Sequence, residues 1–251
     1  MAAPINVSGG PRFDLPHTTQ TPSEALRALG IRDLAELTKL TGSPPPLPTF
    51  LDTAGERIDP NLGSGEPLEL IEHRRIRILS NYWHAGWERA HPAMQLRTEA
   101  HRRLCAAAES LPDRFGLAVF DAYRPLVLQA ELYDAAYSDS TLPEGFVAEP
   151  IADRSTPPPH STGGTVDCTL TIDGVPLALG TDFDDFSNLA WTHAFETIES
   201  PDRQLRRLLY WSMQAAGFVV LHCEWWHFEF GTRRWAAITG EAPCYSRADP
   251  Q

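Results

Sequence analysis

Two short segments in the second half of the chain carry the residues best able to do chemistry. The first is His160-Ser161-Thr162-Gly163-Gly164-Thr165-Val166-Asp167, and the second is Glu224-Trp225-Trp226-His227. Two imidazoles and one carboxylate, here His160, His227 and Asp167, can hold one Zn²⁺ and leave its fourth position open to water. Glu224 would then be free to act as a base on that water. This is the residue inventory of a zinc hydrolase with one metal per chain. It carries a geometric cost. Glu224 and His227 face opposite sides of a regular strand, so both reach one metal only if the backbone bulges at Trp225-Trp226. His222, close before Glu224, is the rival imidazole. Cys168 and Cys223 adjoin proposed site residues and could supply a ligand instead. Otherwise Cys105, Cys168, Cys223 and Cys244, which form no C-x-x-C pair, are expected as buried thiols of a reducing compartment.

The elements that must position these residues can be read from periodicity. Val166 to Asp173 alternates as a strand, with Val166, Cys168, Leu170 and Ile172 on one face and Asp167, Thr169, Thr171 and Asp173 on the other. Asp167 therefore belongs to the polar face, where a site can be built. Pro157-Pro158-Pro159 stiffens the approach to His160, and Gly163-Gly164 lets the chain turn into the strand. Ser200-Pro201 caps a helix running to Ala216, with Leu205, Leu208, Leu209 and Met213 as its buried stripe and Gly217 as its stop. Phe218 to Leu221 and Trp226 to Phe230 read as a strand pair. Upstream, a strand is expected over Arg75 to Tyr82, a helix over Ala93 to Ser110, a strand over Leu117 to Phe120 and a helix over Pro125 to Ala136. Strands mixed with helices without regular alternation favour an α+β fold. Residues 1–65, dense in proline and glycine, read as an arm or small subdomain. It holds a weak helical patch from Ser23 to Leu40 that Gly30 interrupts; residues 66–251 form the main body.

Two further groups deserve a chemical reading. Arg124, in Asp121-Ala122-Tyr123-Arg124-Pro125, sits between a strand and a helix. There a guanidinium could stabilise an oxyanion, or simply form a salt bridge. Asp182, Asp184 and Asp185 are either a solvated acidic loop or the source of a carboxylate that fixes a substrate ammonium.

The bulk composition narrows the partners. The chain has 251 residues and a formal net charge of −12, which disfavours nucleic acid and anionic membranes. No apolar stretch approaches the roughly 20 residues of a membrane span. Met1 to Pro16 shows no apolar run after a basic start, so a cytoplasmic location is expected.

Four ordered segments together resemble the zinc D-alanyl-D-alanine dipeptidases, the family that includes the dipeptidase of vancomycin resistance. They are Asp121-Ala-Tyr-Arg-Pro125, His160 through Asp167-Cys-Thr-Leu170, Gly180-Thr-Asp-Phe-Asp184, and Glu224-Trp-Trp-His227. The resemblance spans roughly residues 70 to 235. It implies the fold shared with the Hedgehog signalling domain, an antiparallel-rich central sheet with flanking helices, here with an N-terminal extension. It also implies His160, Asp167 and His227 as zinc ligands, Glu224 as catalytic base, Arg124 as the transition-state arginine, and Asp184 as the reader of the dipeptide amino terminus. Pro158 and Pro159 stand where the vancomycin-resistance enzyme has serines, so hydroxyl contacts from that loop are missing.

The expectation is a cytoplasmic zinc dipeptidase that cleaves D-Ala-D-Ala or a close D,D-dipeptide. A D,D- or L,D-carboxypeptidase of peptidoglycan stems would need export and a longer groove. A zinc-stabilised binding module would have no need of Glu224 or Arg124. A two-His, one-carboxylate iron oxygenase usually keeps its first His and carboxylate closer than His160 and Asp167.

Overall fold

The computed structural model describes residues 19–63, 65–138 and 147–248. The stretch Met1 to Pro16, read above for a leader, lies outside them. The described chain is a mixed α+β structure. Its elements in order are α1 (Pro22–Ala28), α2 (Leu34–Thr41), β1 (Leu68–Leu70), β2 (Ile76–Ile78), α3 (Asn81–His84), β3 (Gln95–Arg97), α4 (Thr98–Ser110), β4 (Phe115–Asp121), α5 (Leu126–Tyr137), β5 (Thr165–Ile172), β6 (Val175–Pro176), α6 (Pro201–Ala215), β7 (Val219–Leu221), β8 (Glu224–Glu229) and α7 (Arg233–Thr239). The main sheet runs β2-β4-β5-β8-β7, with β6 paired to β5. Only β2 and β4 are parallel; β4, β5, β8 and β7 pair antiparallel in turn. A smaller antiparallel ribbon joins β1 to β3.

The central position of β5 explains its composition. Both faces of the strand are buried from Thr165 to Ile172, so the apolar alternate residues enter the core and Asp167, Thr169 and Thr171 need partners. Thr169 finds one in the carbonyl of Leu177 at 2.7 Å. On the sheet, α4 packs against β4 while α6 packs against β5 and against α4. Leu205, Leu208, Leu209 and Met213 of α6 are all buried, as the stripe predicted, and Ser200 caps the helix by accepting from the Arg203 amide.

Several expected boundaries move for identifiable reasons. The helix expected from Ala93 starts only at Thr98, because Gln95–Arg97 is captured as β3 by β1; pairing in the fold overrides local propensity. The strand expected over Arg75 to Tyr82 is limited to β2, since Ser80 takes a left-handed turn (φ 46°) into α3. That turn aims Tyr82 toward the site. The patch from Ser23 to Leu40 divides at Gly30 (φ 76°) into α1 and α2. Helix α7 was not anticipated, although Thr232 before it and Gly240 after it are ordinary start and stop residues.

The glycine pair before β5 has two different jobs. Gly163 closes the 3-10 turn Pro159–Thr162 in a left-handed conformation (φ 74°). Gly164 is needed for space, because a Cβ there would lie 2.3 Å from the Phe230 carbonyl oxygen and 2.8 Å from the Tyr245 ring. Gly164→Ala is therefore expected to cost about 1–3 kcal/mol in urea unfolding. A variant as stable as the parent would show that the turn can relax around the added methyl.

Candidate active site

Three neighbouring strands bring the chemistry together in one row. Register pairs Asp121 at the end of β4 with Asp167 of β5, and Asp167 with His227 of β8. The 3-10 turn then lays His160 over the same spot. His160 Nε2 lies 3.1 Å from Asp167 Oδ2, and His227 Nδ1 lies 3.0 Å from Asp167 Oδ1. One potential ligand atom from each of these three residues falls within 4.8 Å of the others. All three side chains are buried, Asp167 to 2% exposure.

Each imidazole has its other nitrogen occupied. His160 Nδ1 lies 2.7 Å from the Ala122 carbonyl, so it donates there and leaves Nε2 as the free acceptor. His227 Nε2 lies 3.2 Å from Glu229 Oε1, which leaves Nδ1 facing Asp167. Two imidazole nitrogens and a carboxylate oxygen, each oriented by an outer partner, are a donor set that could hold one divalent metal. No cysteine joins the cluster. Cys168 points to the core on the face of β5 opposite Asp167, with burial driving its thiol well above the usual range. The Cys223 thiol, on the cavity wall, is pushed up to about 11 by burial and then by Glu224. His222 is not in the cluster either: it lies edge-on to Trp191 with Nδ1 3.7 Å from Asp52.

The expected bulge is present in β8. Val220 pairs with Phe228, yet its neighbour Leu221 pairs with Glu224, so extra residues of β8 loop out around Trp225-Trp226. Both tryptophan rings turn into the core, and Trp225 Nε1 donates to Thr181 Oγ1 at 2.8 Å. As a result Glu224 Oε2 comes within 3.7 Å of His227 Nδ1. The Glu224 carboxyl is raised above the ordinary carboxylate range, chiefly by burial, with His227 opposing and Asp167 adding to the rise.

Arg124 is buried, and its guanidinium is fixed on three sides. Nε donates to Asp121 Oδ2 at 2.7 Å, Nη1 to Gln129 Oε1 at 2.9 Å, and Nη2 to the Tyr82 hydroxyl at 3.3 Å. Nη2 also lies 3.6 Å from Asp167 Oδ2. Tyr82 in turn donates to Asp184 Oδ2 at 2.8 Å. Asp184 holds a left-handed backbone (φ 58°), and its carboxyl is pushed up to about 8, mainly by burial. Of its neighbours, Asp182 is exposed and accepts from Thr19, while Asp185 lines the same cavity and accepts from the Ser187 amide. Tyr82, Arg124, His160, Asp167, Asp184, Glu224 and His227 all line one cavity of about 630 Å³.

Sequence reasoning missed Glu229, Tyr82 and Gln129. Glu229 was detectable by strand alternation, which puts positions 227 and 229 on one face. It is almost wholly buried, accepts from Thr232 Oγ1, and accepts from Arg234 Nε at 2.9 Å. Burial works to raise its carboxyl, but His227, Arg234 and Thr232 outweigh it and bring the carboxyl to about 2. Tyr82 and Gln129 carry no motif of their own and are recruited by packing.

A buried cluster of two imidazoles and a carboxylate, with a further carboxylate and an arginine on the same cavity, defines a metallopeptidase-type site. The family model described as D-ala-D-ala dipeptidase matches residues 94–244, and the chain belongs to that family of metallopeptidases. A protein of Synechocystis sp. named D-alanyl-D-alanine dipeptidase is 30% identical over 210 residues, which is 68% of this chain and 85% of the relative. Proteins of the same name from Escherichia coli and Enterococcus faecalis are 35% and 32% identical over 115 and 129 residues. Those stretches cover 45% and 46% of this chain, and 54% and 62% of the relatives.

Glu229→Ala is expected to weaken metal binding about 10–100-fold, with Glu229→Gln closer to the parent because an acceptor for His227 remains. Competition against a chromogenic chelator reads this directly. An alanine variant with parental affinity would show that His227 does not depend on Glu229 for its orientation.

Proposed function

We propose that this chain is a zinc dipeptidase that hydrolyses D-Ala-D-Ala, or a close D,D-dipeptide, to free D-amino acids. The observation that carries the reading is the convergence of His160, Asp167 and His227 beside Glu224 and Arg124 in one cavity. The family and the names of the relatives supply the substrate class.

In this reading His160 Nε2, one Asp167 oxygen and His227 Nδ1 hold the zinc. Zinc so held would polarise the peptide carbonyl and lower the pKa of a coordinated water to about 7. Glu224 takes the proton as water attacks the carbonyl carbon, and a carboxyl raised by burial suits a group that must then release that proton to the leaving amine. Arg124, already fixed by Asp121, Gln129 and Tyr82, faces the developing oxyanion without having to reorganise. Asp184 receives the substrate ammonium, which would favour its charged form and selects a free amino terminus close to the reacting bond.

The α+β sheet with its antiparallel core agrees with the Hedgehog/DD-peptidase-like fold that the motifs imply. We divide the chain into an N-terminal arm, residues 1–65, and a catalytic domain, residues 66–251. The arm packs on the body through Ala25, Leu26 and Leu37, and Gln204 of α6 donates to Thr41 at 2.6 Å. The partner is a small dipeptide, not nucleic acid or membrane; among the described residues no helix is long and apolar enough to cross a membrane. The four free thiols suit a cytoplasmic setting.

The zinc-loaded protein is expected to hydrolyse D-Ala-D-Ala and to leave L-Ala-L-Ala and a stem pentapeptide intact. Turnover of the pentapeptide alone would favour a carboxypeptidase. Glu224→Ala should keep its zinc and lose at least about 100-fold in kcat; full activity in that variant would remove Glu224 as base. Arg124→Met is expected to lose about 10²–10³-fold in kcat with metal content unchanged, and a loss confined to KM would assign Arg124 to substrate binding instead.

A further inference from the structure

A dipeptide has a free carboxylate as well as an ammonium group, and the residues described so far account only for the ammonium. Pro157 and Pro159 line the cavity beside His160 and offer no donor. A positively charged partner for the carboxylate would come from another part of the lining. Three arginines line the cavity: Arg124, Arg233 and Arg234. Arg124 is paired to Asp121 at 2.7 Å and Arg234 to Glu229 at 2.9 Å. The imidazoles of His160 and His227 face Asp167, and that of His222 faces Asp52.

Arg233 differs from all of these. Its Nε donates to the Glu56 carbonyl at 2.8 Å and its Nη2 to the Gly55 carbonyl at 2.7 Å. Both acceptors are neutral, and among the described residues no carboxylate pairs with it. Burial lowers its pKa, with Glu229 acting in the opposite sense from a distance. Two of the five N–H donors are used, which leaves the Nη edge open to a second, charged acceptor. The strap that supplies the carbonyls is itself fixed. A Cβ at Gly55 would lie 2.2 Å from the Arg233 carbonyl oxygen, the Ile58 amide donates to the Ser155 carbonyl at 3.0 Å, and Arg57 pairs with Asp153 at 2.6 Å. The strap residues Asp52 and Ala54 line the same cavity. Asp184 sits with Tyr82 and Arg124, whereas Arg233 neighbours Glu229 and Arg234, the groups behind His227. The two charge-reading groups thus keep different company in one cavity.

We propose that Arg233, held by the N-terminal strap, receives the C-terminal carboxylate of the dipeptide and so selects substrates with a free acid next to the scissile bond. This rests on the dipeptidase reading above. It also gives the strap a purpose: its carbonyls orient an arginine that no carboxylate of the described chain neutralises.

The test compares kcat/KM for D-Ala-D-Ala and for its C-terminal amide in the zinc-loaded full chain, the Arg233→Met and Arg233→Lys variants, and Arg57→Ala as a control that removes a nearby exposed arginine while leaving the Gly55 and Glu56 carbonyls and Arg233 in place. The parent is expected to prefer the free acid by at least about tenfold. Arg233→Met should lose about 10–100-fold on the acid, mainly through KM, and little on the amide, so that the preference collapses. Arg233→Lys should retain part of it, and Arg57→Ala all of it. An acid-to-amide ratio in Arg233→Met equal to the parent's would overturn the proposal while leaving the dipeptidase reading in place. Equal losses on acid and amide in both Arg233 variants would overturn it too, by showing a structural effect. A parent that releases no D-alanine would sink the dipeptidase reading, and this assignment with it.

Discussion

The site is organised around one buried carboxylate. Asp167 lies near the start of the central strand, flanked in register by Asp121 and His227, with His160 folded over it. A charge in that position is expensive unless every lone pair is matched. Burial alone would raise the Asp167 carboxyl, yet it is held well below the usual range because His160 and His227 both face it. The same requirement explains the outer partners. Ala122 and Glu229 fix the imidazoles, and Arg124 supplies the nearest fixed positive charge at 3.6 Å. Each of these groups is placed by a short piece of secondary structure next to β5. The sheet order and the chemistry are consequences of one packing problem.

The acidic and basic groups of the cavity are also sorted by wall. On one side Arg124, Tyr82 and Asp184 form a hydrogen-bonded chain, with the guanidinium 5.0 Å over the Tyr82 ring. On the other, Glu229 ties His227 to Thr232 and Arg234 at the start of α7. Glu224 stands between them on the bulged end of β8. Its carboxyl is raised while that of Glu229 is lowered, although both lie within a few residues of His227. The difference lies in partners: Glu229 accepts from an imidazole, a hydroxyl and a guanidinium, whereas Glu224, among the described residues, has only the imidazole within ion-pair reach. Such divergent environments are how neighbouring carboxylates are given different tasks.

Much of this was legible in the sequence, and the exceptions have physical causes. The alternation in β5 placed Asp167 on the polar face, and the cap at Ser200 and the stop at Gly217 delimited α6, because these depend on local chemistry. The three-residue spacing of Glu224 and His227 required a bulge, and β8 has one. What escaped notice depends on partners distant in sequence. Gln95–Arg97 reads as helix until β1 pairs with it. Tyr82 joins Arg124 and Asp184 across intervals of 42 and 102 positions, which no local pattern encodes. The three ligand candidates needed no such help, since the motif residues themselves meet once β5 pairs with β8 and the 3-10 turn before β5 folds over them.

The central claim is that one metal is held by His160 through Nε2, by Asp167 through a carboxylate oxygen and by His227 through Nδ1. Anomalous diffraction from crystals of the zinc-loaded protein tests it most directly. The account predicts a single peak about 2.0–2.2 Å from each of those three atoms, with Glu224 outside the coordination sphere. A peak ligated by Glu224, by Cys223 or by Nε2 of His227 would contradict it.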